Sequence, residues 1–261
     1  MGDIPQSHPR RASLLARQRL VDAAAAGLLA DSALIAHGRG EAFDYLLGER
    51  TSDSARLAIL EVAARLLAAE RPVISVNGNT VVLAGKAAIR IAASLSCPIE
   101  VNLYYRTPER IEKLLTGLEE MRAEVASEAP PNDGTQAQWA DSVKAIQILG
   151  AESDGRIEGL EGPRALCSRI GIEAADTVLV PLEDGDRCEA LMALGKQVLV
   201  VDLNPLSRTA RRATITIVDE VSRALDLLSA ALLTNPEPAD FDNSANLRAA
   251  LQVMAESGER Q

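Results

Sequence analysis

At 261 residues the chain is long enough to bury a sizeable core. Its apolar share is 47%, built from Ala, Leu, Val and Ile with only 2% aromatics, a profile that fits helices packed on a mainly parallel sheet. A net charge of −10 argues against nucleic acid or an anionic membrane surface as the main partner, so an anionic ligand would need a local cluster of arginines. Cys97, Cys167 and Cys188 are odd in number and in no metal-ligand pattern, which points to free thiols in a reducing compartment. With no 18-residue apolar run and no signal-peptide core after Met1, the expected location is the cytoplasm.

In chain order, Arg10 to Leu29 reads as a helix whose Leu14, Leu15, Val21, Ala24, Ala25 and Leu28 fall near helical spacing. Arg10 and Arg17 share one face of it, which on sequence alone is a solvated basic face. The next stretch, Ala36-His37-Gly38-Arg39-Gly40-Glu41-Ala42-Phe43-Asp44-Tyr45, sets an arginine between two glycines. Glycines there allow the backbone to approach a ligand, and a guanidinium suits phosphate or carboxylate. The plainer alternative is a surface turn leading into a helix near Glu41. A further helix follows Thr51-Ser52-Asp53 and runs to about Glu70.

Alternation of strand and helix then begins. Strands are expected at Val73–Val76, Ile99–Leu103, Ala145–Leu149, Thr177–Pro181, Gln197–Val201 and Thr214–Val218. Helices are expected at Lys86–Leu95, Thr107–Val125, Pro163–Ile170, Arg187–Leu194, Glu220–Leu233 and Ala245–Glu256. Ser127 to Asp141 is polar and turn-rich and reads as a mobile surface insertion that Trp139 pins at its end. The expected fold is therefore α/β, a Rossmann-like, mainly parallel sheet with helices on both faces and an N-terminal helical extension. It is one unit over 1–261, with a helical part at 1–70, the sheet core at 71–233 and a C-terminal helix and tail at 234–261.

Ligands of such sheets sit beyond the carboxyl ends of the strands. Five of those ends carry amides, carboxylates or arginines: Asn77-Gly78-Asn79, Asn102 with Tyr104-Tyr105-Arg106, Glu183-Asp184-Gly185-Asp186-Arg187, Asp202 to Arg208, and Asp219-Glu220. Asp202 is placed to accept ribose hydroxyls, or else to cap a turn before Pro205. Ser207, Arg208 and Thr209 open a helix whose N–H groups favour phosphate. The acids of 183–186 can hold Mg²⁺, can orient Arg187, or can form a metal-free surface turn. Neither G-x-x-x-x-G-K-[ST] nor G-x-G-x-x-G follows the first strand, so a P-loop kinase and an ordinary dinucleotide dehydrogenase lose support.

The blocks Ile4-Pro5 with Ser7-His8-Pro9-Arg10, Leu34 to Tyr45, Ser75 to Asn79, Pro181 to Arg187 and Asp202 to Arg208 resemble the archaeal phosphopantothenate synthetase family, also called 4-phosphopantoate–β-alanine ligase. The resemblance runs from the first helix to about Val221. It implies a homodimeric enzyme that joins 4-phosphopantoate to β-alanine using ATP and Mg²⁺, giving AMP, pyrophosphate and 4′-phosphopantothenate for coenzyme A synthesis. It also implies nucleotide contacts at Arg17, Arg39, Asp202-Leu203-Asn204, Arg208-Thr209 and Glu220-Val221. An acyl-adenylate route brings two anions together, which asks for cations such as Arg39 and Arg187. Deprotonating the amine asks for a base, either His37 or an acid of the 183–186 loop such as Asp184. Asn77, Asn79 and Asn102 suit the hydroxyl and carboxylate of phosphopantoate. A non-catalytic protein that binds nucleotides or phosphometabolites, and a phosphotransferase releasing ADP, are the competing readings.

Overall fold

Three helices open the chain in the computed structural model, which describes residues 4–182 and 184–259. They are α1 (Arg11–Ala25), α2 (Asp31–Leu47) and α3 (Asp53–Ala68). The Ser52 hydroxyl caps α3 by accepting from Ala55 N–H, as the Thr-Ser-Asp start predicts. Helix α2, however, runs straight through Gly38-Arg39-Gly40, where glycines freeing the backbone to approach a ligand, or a surface turn leading into a helix near Glu41, were expected. Two helical glycines cost about 1 kcal/mol each, little enough for tertiary contacts to outweigh. Gly40 lies over Leu203, whose Cδ1 a Cβ there would meet at an ordinary van der Waals distance of 3.5 Å.

The sheet follows as β1 (Pro72–Val76), β2 (Ile99–Val101), β3 (Ile148–Leu149), β6 (Thr177–Pro181), β7 (Gln197–Val201) and β8 (Ile215–Ile217). Its order is β3-β2-β1-β6-β7-β8 and every pairing is parallel, with Val76 opposite Val101 and Val201 opposite Ile217. Between β3 and β6, the short strands β4 (Gly155–Arg156) and β5 (Leu166–Cys167) form an antiparallel pair that the sequence reading missed. The remaining helices are α4 (Gly78–Leu95), α5 (Pro108–Ala126), α6 (Gln136–Ala145), α7 (Gly185–Ala193), α8 (Arg208–Arg212), α9 (Val221–Leu232) and α10 (Asn243–Ala255).

Strand residues alternate between two buried faces, which explains the unbroken aliphatic runs. Ile74, Val76, Leu179, Leu199 and Val201 join the cluster formed with α3, α4, α5 and α9. Val73, Val178, Val180, Val198 and Val200 face Cys188 and Leu191 of α7 and Ile157, Cys167 and Ile172 of the β4–β5 segment. A third cluster joins Leu47 of α2 to Leu203, Ala210, Val218 and α10.

Two further stretches depart from the sequence reading. Instead of a helix at Pro163–Ile170, a 3₁₀ turn (Pro163–Ala165) leads into β5, and a π-turn (Arg169–Glu173) follows. The buried Glu100 carboxylate accepts the N–H groups of Ser168 (2.9 Å) and Ile172 (2.8 Å), diverting both from a helical ladder. The polar insertion is partly ordered too. Helix α6 starts at Gln136 behind a Thr135–Gln138 capping box, and Trp139 is buried with its Nε1 donating to Val125 O at 3.1 Å.

Candidate active site

Strand order reverses at β1: the chain moves outward through β2 and β3, then returns to place β6 on the other side of β1. The crevice beyond the carboxyl ends at such a point is the usual ligand position. A cavity of about 100 Å³ lies there, lined by Ser75, Asn77, Asn102, Tyr104, Arg164 and Arg187 among others. Arg187 reaches it from α7 while almost wholly buried, with Nη2 donating to Ser75 Oγ at 3.4 Å. Arg164 stacks over the Tyr104 ring at 5.0 Å and donates to Asp184 Oδ1 (3.3 Å) and Asp186 Oδ2 (3.1 Å). Asn102 Nδ2 donates to Leu166 O at 3.0 Å, tying the wall to β5. Glu100 lies buried two residues upstream, on β2. Burial pushes its carboxyl up; the Ile172 and Ser168 N–H groups and the charges of Arg187 and Arg106 pull it back.

A second cluster occupies the ends of β7 and β8. Asp202 accepts from Asn204 N–H (2.9 Å) and from the Ser207 hydroxyl (2.5 Å), while Ser207 Oγ caps α8. Burial raises the Asp202 carboxyl, against these two bonds and the charge of Arg39. Arg39 is exposed on α2, and Arg17 reaches across from α1 to Glu41 Oε1 at 2.6 Å. Glu220 caps α9 through Ser222 and Arg223 N–H, with Val221 buried just behind it. His37 Nε2 is buried with no hydrogen-bond partner among the described residues. Burial lowers the His37 pKa, and Glu41 and Glu220 partly offset that.

The predicted residues thus fall into two groups. Arg17, His37, Arg39, Asp202, Leu203, Asn204, Arg208, Thr209, Glu220 and Val221 belong to the β7–β8 end; Asn77, Asn102, Asp184 and Arg187 belong to the cavity. Asn79 belongs to neither, because its Nδ2 donates to Ala33 O at 3.1 Å beneath α2. Asn77 lines the cavity, yet its amide is already committed, accepting from Thr80 N–H and donating to Leu182 O at 3.0 Å. In the acidic loop, Asp184 caps α7 through Arg187 N–H, and Asp186 pairs with both Arg164 and Arg208. The Arg164 bond holds Asp186 below the usual carboxylate range. Glu183, part of the same expectation, lies outside the described residues. Helix α8 has only five residues, so little dipole accumulates at its start.

Sequence reasoning missed Ser75, Glu100 and Arg164. The first two left a signal, as polar residues inside the aliphatic runs of β1 and β2. Arg164 left none, because only the turn at Pro163–Ala165 delivers it to the cavity.

A doubly wound parallel sheet, with arginines and carboxylates gathered at its carboxyl edge, defines a Rossmann-like α/β protein whose polar side is that edge. Residues 54–257 match the model of the phosphopantothenate/pantothenate synthetase family, and the chain belongs to it. The chain is 47% identical over 224 residues to a protein of Thermococcus kodakarensis named 4-phosphopantoate–beta-alanine ligase, covering 86% of this chain and 78% of that one. It is 46% identical over 225 residues to a protein of the same name from Methanosarcina mazei, covering 86% and 80%. Against the one from Methanospirillum hungatei it is 44% identical over 222 residues, covering 85% and 82%. Among the described residues, no helix is long and apolar enough to cross a membrane.

The His37 environment generates a pH prediction. Its folded-state pKa lies below the ordinary 6.5, so between those two values the unfolded chain binds more protons. Stability should therefore rise with pH through that window and be fully present above about 6.5. Denaturant titrations at several pH values should show this slope, and His37→Gln should flatten it. An NMR titration placing the His37 ring above 6.5 would contradict the assignment.

Proposed function

We propose that the protein is an ATP-dependent ligase that condenses 4-phosphopantoate with β-alanine to 4′-phosphopantothenate, in coenzyme A biosynthesis, with AMP and diphosphate released. The whole chain, 1–261, acts as one ligase unit. One observation carries the reading: in a chain of this family, two arginine-bearing half-sites meet along one sheet edge. 4-Phosphopantoate takes the cavity between β1, β2 and β6, where Arg187, Arg164, Ser75 and Asn102 offer a cation pair and neutral hydrogen-bonding groups. ATP takes the β7–β8 end, with Asp202 toward ribose and Arg17, Arg39 and Arg208 toward phosphate.

A carboxylate oxygen of 4-phosphopantoate attacks the α-phosphorus of ATP. The bond from that phosphorus to the bridging oxygen breaks, and pyrophosphate leaves with its electron pair. Arg39 offsets charge as the two anions close. The β-alanine ammonium gives up one proton, its nitrogen attacks the acyl carbonyl, and the carbon–oxygen bond to AMP breaks. A second proton leaves the nitrogen as the amide forms. His37 is the favoured acceptor, since burial keeps its ring neutral, whereas the Asp184 carboxylate already caps α7 and pairs with Arg164.

The carboxylates of 184–186 do not fit a protein-held cation, because helix N–H groups and arginines occupy them. Mg²⁺ accordingly enters with the nucleotide, as part of the MgATP substrate. A homodimer belongs to the same reading. Leu57, Leu60 and Leu67 lie exposed along one face of α3, a surface that a second copy would cover.

Arg39→Ala should lower turnover roughly 100-fold with the fold intact, as losing a contact to developing charge costs about 3 kcal/mol. Oxygen-18 placed in the phosphopantoate carboxylate tests the route itself. The label should appear in AMP, because that oxygen bridges to phosphorus in the acyl-adenylate. Label in inorganic phosphate, with ADP as co-product, would overturn the route.

A further inference from the structure

Asp186 stands outside both half-sites yet touches an arginine from each. Its Oδ2 accepts from Arg164 Nη1 at 3.1 Å, and its Oδ1 pairs with Arg208 Nη2. Arg164 comes from the turn before β5 and stands over Tyr104 at the cavity; Arg208 comes from the β7 turn at the start of α8. The backbone makes room for this bridge. A Cβ on Gly185 would lie 3.0 Å from Arg208 Cβ and 3.1 Å from Cγ, with Nε closer still, so the Arg208 side chain crosses the start of α7 over a bare glycine.

We propose that Asp186 is a positioning residue that holds one guanidinium of each half-site in register, aligning the acyl carboxylate of one substrate with the α-phosphate of the other. The proposal rests on the ligase reading above and adds to it the part that joins the two half-sites. Neither arginine needs Asp186 in order to attract an anion: each guanidinium keeps its charge when the carboxylate is removed. What Arg208 loses is a fixed direction, and Arg164 loses the shorter of its two carboxylate bonds, keeping Asp184 and the Tyr104 ring. The forked geometry of a guanidinium transmits orientation only while its other edge is held. A small misplacement of a charged group costs turnover far more than it costs ground-state binding.

The experiment is steady-state kinetics of the full-length protein, following AMP release with ATP, 4-phosphopantoate and β-alanine. Asp186→Asn should lower kcat about tenfold while KM for ATP and for 4-phosphopantoate moves less than about threefold. Asp186→Glu, which keeps the charge, should recover part of the loss. Gly185→Ala displaces Arg208 without touching any charge and should also lower kcat, by no more than Asp186→Asn does. The double variant should be no worse than Asp186→Asn alone, because Gly185→Ala acts through Arg208, one of the two arginines that Asp186 holds. Wild-type kcat in Asp186→Asn, or a raised KM with kcat intact, would overturn the proposal while wild-type AMP release leaves the ligase reading standing. If Asp186→Asn fails to fold, wild-type kcat in Gly185→Ala overturns it instead. A wild-type protein that releases no AMP would remove the ligase reading, and the bridge with it.

Discussion

Where helix α2 sits depends on the guanidinium of Arg223. From α9 it donates to Asp44 on α2 and to Asp219 at the end of β8, and Asp219 also accepts from Thr51 Oγ1 at 2.6 Å. Burial works against the Arg223 charge, but the buried carboxylates of Asp44 and Asp219 outweigh it and hold the proton more firmly than on an exposed arginine. Helix α2 buries only Asp44 and Leu47 completely, so apolar packing alone gives it a weak hold. Removing one partner from a buried ion pair costs about 3–5 kcal/mol, a large share of a domain's net stability. That ion pair thus helps to keep His37 and Arg39, seven and five residues upstream of Asp44, beside Glu220 and Asp202.

A second constraint follows from the acidic chain. Arginines at the carboxyl edge that an anion would seek already have carboxylates: Arg17 has Glu41, Arg164 has Asp184 and Asp186, and Arg208 has Asp186. A surface pair such as Arg17–Glu41 contributes little to stability, so an arriving phosphate can replace that carboxylate at small cost, while Arg164 and Arg208 keep Asp186 and have further N–H groups to offer. Such pairing keeps the guanidiniums ordered before any ligand comes, and it prevents their mutual repulsion from opening the site. Arg187 is held differently, buried on α7 against Ser75 and within the field of Glu100.

Much of the fold was legible because β1, β6, β7 and β8 are buried on both faces, and such strands write themselves as aliphatic runs. Thr177–Pro181 and Gln197–Val201 match residue for residue, and the caps at Ser52, Thr107 and Ser207 were visible as residue types. What failed did so where a distant side chain overrides local preference. Glu100 takes the Ser168 N–H that a helix at 163–170 would have used, and tertiary contacts keep α2 helical through two glycines. At the site, strand ends announced themselves as a set, yet which half-site each residue joins depends on strand order, which no local pattern encodes. Asn79 shows this most clearly. Two residues on from Asn77, it turns beneath α2 rather than into the cavity.

Two substrates held in separate half-sites along one sheet edge would each leave a distinct hydrogen exchange footprint, which makes footprinting the most direct test. With ATP alone, protection should appear in 37–41 and 202–209 and leave 102–104 and 164–168 unchanged. With 4-phosphopantoate alone, the pattern should reverse, with protection in 75–77, 102–104 and 164–168. Protection of a single common segment by both compounds, or protection confined to the opposite edge around 69–72 and 94–98, would contradict the account.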